Sequence, residues 1–87
     1  MSKAMKCVIT FYNHFGAVRY KKEAERSGWK VQLSPVPRSL SSSCGTCVFC
    51  DTMGADPTER ITDEMEQIAV ALESGVGYRT IWRAEES

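Results

Sequence analysis

The sequence predicts an α+β fold, a ferredoxin-like β-α-β-β-α-β sandwich in which an antiparallel sheet carries two helices on one face. Three observations point there. Short runs rich in β-branched and aromatic residues recur along the chain. Two segments between them place apolar residues at helical spacing. Glycine and proline mark the junctions. At 87 residues, the chain is expected to form a single domain, 1–87.

Lys6 to Phe11 (KCVITF) reads as a buried first strand. Asn13 can cap a helix over 14–27, where Phe15, Ala17, Val18, Tyr20 and Ala24 recur at roughly helical spacing, and Gly28 stands where a C-terminal glycine belongs. Trp29, Val31 and Leu33 alternate with Lys30, Gln32 and Ser34, the pattern of a strand with one buried face, which Pro35 and Pro37 end. Residues 38–43 (RSLSSS) are loop-forming. Residues 44–50 (CGTCVFC) fit either a third strand or a ligand loop, and residues 51–56 a further loop. Ile61, Met65, Ile68, Ala69 and Leu72 fall on one stripe at i, i+4, i+7, i+8 and i+11, predicting a second helix. Asp56-Pro57-Thr58-Glu59 resembles its capping box, Thr62-Asp63-Glu64 is a later possible start, and Gly75 is its end. Tyr78 to Arg83 (YRTIWR) reads as the last strand, with residues 84–87 fraying.

An apolar fraction of 43% and a charged fraction of 25% exclude disorder for most of the chain. Eleven basic residues balance eleven acidic ones, which argues against a nucleic-acid partner. The basic run RYKKEAER, interrupted by two glutamates, reads as a solvated helix face. No stretch approaches the roughly 18 apolar residues that a membrane span needs, and no secretory leader pattern is present. A cytoplasmic location is therefore expected, without membrane contact. The four cysteines are then better read as thiols, metal ligands or redox groups than as a disulfide framework.

The main chemical feature is Cys44-Gly45-Thr46-Cys47-Val48-Phe49-Cys50. In a loop, this spacing lets three sulfurs converge on one zinc ion or iron–sulfur cluster. The segment supplies the first three positions of a C-x2-C-x2-C-x3-C-P run but lacks its fourth cysteine, since Asp-Thr-Met-Gly follows. Asp51, Cys7, His14 or a partner's ligand would have to complete the site. A regular strand would defeat this reading, because it would turn Cys44 and Cys47 to opposite faces and put Cys44 roughly 20 Å from Cys50.

A carrier role does not need the loop. Arg38 and the hydroxyls of Ser41, Ser42 and Ser43 supply charge and donors that favour thiolate over thiol at Cys44. Ser43 and Gly45 would border a bulky adduct. Cys44 would hold sulfur or selenium as a persulfide or perselenide, and Cys47 would release it as a resolving thiol. Cys7 is expected to be a buried small hydrophobe, His14 a surface residue of the first helical turn, and Met65, Trp29 and Trp82 core. A pure interaction module pairing its sheet with another subunit is a third reading. An enzyme acting alone is the least favoured, because no catalytic dyad is visible.

Ser34-Pro35-Val36-Pro37-Arg38, followed by Ser42-Ser43-Cys44-Gly45, resembles the small bacterial and archaeal Se/S carrier-like family. Thr10-Phe11 matches the end of that family's first strand, Ala17-Val18 its helix, and Gly28-Trp29 and Gln32-Leu33 its next strand. The resemblance implies functional roles for Arg38, Cys44 and Gly45 and a protein partner, either a sulfur or selenium donor or acceptor enzyme or a larger redox complex. The chain departs from the pattern at Lys21, where the family places a glutamate, and at Cys47 and Cys50, which raise the alternative of a metal-binding or iron–sulfur accessory subunit.

Overall fold

The computed structural model describes residues 6–38, 40, 44–72 and 77–84. The elements run β1 (Lys6–Phe11), α1 (His14–Arg26), β2 (Lys30–Pro35), β3 (Thr46–Asp51), a single 3-10 turn (Pro57–Glu59), β4 (Met65–Ala71) and β5 (Tyr78–Arg83). All five strands join one antiparallel sheet in the order β2-β3-β1-β4-β5. β1 and β2 both run antiparallel to β3, so they are parallel to each other. α1 connects them across one face, which makes this half a split β-α-β unit.

The local signals of that half work as expected. The Asn13 side chain accepts from the Gly16 N–H at 2.7 Å and caps α1. Gly28 takes the left-handed conformation just past the helix, and its N–H bonds to the Glu25 carbonyl at 3.0 Å. α1 buries Gly16, Ala17, Tyr20 and Ala24. Phe15 does not join them; it is 74% exposed, because the buried arc of the helix is narrower than the apolar stripe.

The second helix is a correction. The chain has one α-helix among the described residues, and the fold is not the ferredoxin-like β-α-β-β-α-β sandwich. The capping box at Asp56-Pro57-Thr58-Glu59 does form, with the Asp56 side chain accepting from Thr58 N at 2.9 Å and Glu59 from Asp56 N at 3.2 Å. It nucleates one 3-10 turn only. Residues 65–71 then pair with β1 on one side and β5 on the other. Helix nucleation is costly and short helices are marginal alone, whereas a helix here would leave an edge of β1 without hydrogen-bond partners. The stripe that mimicked a helix dissolves accordingly: Met65 and Ile68 are buried in the strand, while Ile61 and Leu72 are 44% and 40% exposed. Gly75, its expected end, lies outside the described residues, as do 39, 41–43 in the loop after β2 and 85–87 at the C-terminus.

The core fills the face under α1 with Cys7, Ile9 and Phe11 from β1, Val48 and Cys50 from β3, Met65 and Ile68 from β4, and Tyr20 and Trp29. Trp82 packs against it partly buried. Phe11 and Tyr20 stack at a tilt, ring centroids 5.5 Å apart. On the opposite face, Val8, Thr10, Cys47, Gln67 and Ala69 are also buried, although no described helix covers them. No helix among the described residues is long and apolar enough to cross a membrane.

Candidate functional site

Residues 46–51 resolve the ambiguity of the cysteine segment. They form a strand hydrogen-bonded on both sides, Cys47 lying opposite Thr10 and Ser34, and Cys50 opposite Cys7 and Val31. Side chains alternate along a strand, so Cys47 and Cys50 point to opposite faces. Cys44 precedes the strand, on the far side of Gly45. The looped 44–50 that a shared metal centre required is absent. Among the described residues, no three His, Cys, Asp or Glu side chains gather closely enough to hold a metal ion. Cys44, Cys47 and Cys50 are thus three separate thiols rather than one ligand set, and this corrects the common-centre expectation. Asp51 does not complete such a centre; its carboxylate accepts from the Met53 N–H at 3.0 Å.

Cys44 sits where the β2–β3 connection meets the end of β1. Val36 N–H bonds to the Gly45 carbonyl at 3.1 Å and closes the base of that connection. Gly45 is left-handed, and a side chain added there would meet nothing within 4 Å. This turn lifts Cys44 out of the β3 line. Its thiol reaches back to the Phe11 carbonyl at 3.4 Å and the Thr46 carbonyl at 3.6 Å, and its flank packs on the core. Thr46 in turn shares a 3.3 Å hydrogen bond with His14 Nδ1 in the first turn of α1. Cys44, Thr46 and His14 therefore lie together at the β1–α1 junction.

The other expected participants are placed differently. Cys47 is fully buried, with its thiol donating to the Pro35 carbonyl at 3.5 Å. Burial, and secondarily the nearness of Cys44, pushes its thiol up to about 11. Arg38 is exposed beyond the end of β2, with no ion pair and no hydrogen bond to Cys44 among the described residues. Ser43 lies outside the described residues.

A family model described as "Putative Se/S carrier protein-like" matches residues 6–83. The chain belongs to that family. The match spans every strand and the helix, so the family pattern and this sheet are coextensive. Neither a curated protein nor a solved structure matches the chain.

Sequence reasoning missed two features of the thiol chemistry. His14 is exposed, as expected of a first-turn residue, but it stands beside the Cys44 loop. Cys7 is buried in the core as expected, yet it is also the cross-strand neighbour of Cys50. Both follow from the pairing of β1 with β3. The sequence signal for that pairing was the strand pattern of each, and the register between them was not visible.

Proposed function

We propose that this chain carries sulfur or selenium on Cys44. The burial contrast among its thiols carries the reading: Cys7, Cys47 and Cys50 are 1%, 0% and 2% exposed, and Cys44 alone reaches solvent. The open space beside Gly45 leaves room for a partner or an adduct. The family's description supplies the class of cargo.

In the loading step, the Cys44 thiolate attacks the outer sulfur of a donor enzyme's cysteine persulfide. The donor S–S bond breaks, the donor leaves as a thiolate, and Cys44 keeps the sulfane sulfur. In the release step, Cys47 attacks the Cys44 sulfur, expels hydrosulfide and leaves a Cys44–Cys47 disulfide. This second step is slow in the folded chain. Cys47 must come out of the sheet's other face, and with its thiol near 11 only roughly one molecule in 10⁴ carries the thiolate at neutral pH. An acceptor protein's thiol is the faster route. Arg38 is near enough in sequence to meet a donor's anionic persulfide as it docks.

The test is loading from a cysteine desulfurase, read as cyanide-releasable sulfane sulfur. Wild-type protein and Cys50→Ser should load alike, and Cys44→Ser should load at background. Equal losses from Cys44→Ser and Cys50→Ser would sink the proposal.

A further inference from the structure

Two of the four thiols take no part in that reading, and they face each other. Cys7 on β1 and Cys50 on β3 are direct cross-strand partners on the α1 side of the sheet. Antiparallel partners have Cα atoms about 4.5–5.5 Å apart, inside the span of about 4.4–6.8 Å that a disulfide bridges. Cys7 Sγ already reaches the Cys50 carbonyl at 3.4 Å. Its thiol is also within hydrogen-bonding reach of the Cys50 sulfur. The register by itself thus puts the two cysteines within bridging span.

We infer that Cys7 and Cys50 form a second thiol site, an oxidation site for a small hydroperoxide that closes to a cross-strand disulfide. The site is independent of cargo on Cys44, which lies at the other end of β3.

Three observations fit it. First, the two thiols are unequal. The hydrogen bond from Cys7 to Cys50, reinforced by burial, holds the Cys7 proton firmly; the same bond, helped by the Arg60 guanidinium, draws the Cys50 thiol down against its own burial. Cys50 is the attacking group and Cys7 the one that resolves. Second, the Tyr20 hydroxyl is buried with no hydrogen-bond partner among the described residues, in the field of both thiols and of Arg60. A buried donor held open beside two thiols suits a small oxygen-bearing reagent. Third, Cys7 and Cys50 are at most 2% exposed, so a bulky disulfide is screened from them and only a small oxidant suits the pair.

The chemistry balances without another redox partner. The Cys50 thiolate attacks one peroxide oxygen, the O–O bond breaks, and Cys50 becomes a sulfenic acid while hydroxide (or alkoxide) leaves and takes a proton. The Cys7 sulfur then attacks the Cys50 sulfur. Its proton joins the departing hydroxyl as water, and the disulfide forms. Two thiols lose two electrons and the peroxide gains them.

The test is hydrogen peroxide on the reduced full chain, followed by alkylation under denaturing conditions and peptide mapping. The expected product is a Cys7–Cys50 linked peptide, lighter by two hydrogens and restored by a dithiol reductant. It should form equally in Cys44→Ser, so failure of the carrier reading leaves it intact. Native protein should meanwhile expose only Cys44 to a bulky aromatic disulfide. Cys7→Ser should stall at a Cys50 sulfenic acid trapped by a 1,3-diketone; if that variant does not fold, the wild-type map decides. Recovery of both Cys7 and Cys50 as alkylated thiols while Cys44 is oxidised would overturn the inference.

Discussion

Cys47 and Cys50 stand three positions apart on one strand, an odd spacing that turns one toward α1 and the other away. The buried Cys47 thiol carries a linkage to pH. Its folded value, about 11, lies above its ordinary 9.0, so the native state favours the protonated form. Its contribution is complete below pH 9.0 and fades as pH rises toward 11. Urea unfolding across that window should show falling stability, and Cys47→Ala should lessen the fall, the remainder coming from Cys7 and Tyr20, whose protons the fold also holds. Hydrosulfide release from the loaded protein should quicken over the same window, because the attacking thiolate becomes populated. Gly16 is a second residue whose identity is dictated by its neighbour. A Cβ there would sit 2.7 Å from Glu64 Cβ, just before β4, where Glu64 also pairs with Arg19. Gly16→Ala should destabilise by about 1–3 kcal/mol through overpacking. A double-mutant cycle with Glu64→Gly should show the two sites coupled.

At the scale of elements, two capping motifs of similar quality have different outcomes. Asn13 caps thirteen residues of α1; the Asp56 box caps three residues of 3-10 turn. Asn13→Ala should therefore cost about 1 kcal/mol and reduce the helical signal in circular dichroism. Asp56→Ala should leave that signal unchanged. The same contrast marks what could be read from sequence. β1, α1, β2 and β5 were legible because cap, period and terminator agree within each segment. β4 was not: in MEQIAVA the apolar positions fit a helical stripe as well as a strand buried on both faces, and the decision came from a distant demand, the open edge of β1. For the same reason, Cys44 could be singled out from its loop and its Cys-Gly pair, whereas the positions of His14 and Cys7 beside the other thiols waited on register.

For the whole molecule, connectivity sets the kinetics. β1 is the central strand, and its partners lie far along the chain: Cys7 meets Cys50 on one side and Val70 on the other. The sheet cannot assemble by adding neighbours in order. Closing such long loops comes before most of the favourable contacts form, so refolding should fall in the milliseconds-to-seconds range of β-rich domains. Stopped-flow fluorescence of Trp29, which is buried beneath the Arg60 guanidinium at 5.2 Å, would follow it. A microsecond phase accounting for the whole signal would contradict a nucleus built from these pairings.

The central place of β1 also bears on synthesis. A ribosome delivers residues 6–11 before either of their partners, and the later of these, β4, only after α1, β2 and β3 have been made. Until β3 arrives the nascent chain presents an apolar, β-branched segment with both backbone edges open, and until β4 arrives one edge stays open, able to pair with any other extended chain. α1 follows it immediately and can shield one face early, but it cannot occupy those edges. The vulnerable form of this protein is thus the unfinished one, and its yield in a cell depends on how quickly β3 and β4 arrive or on what shelters β1 until they do.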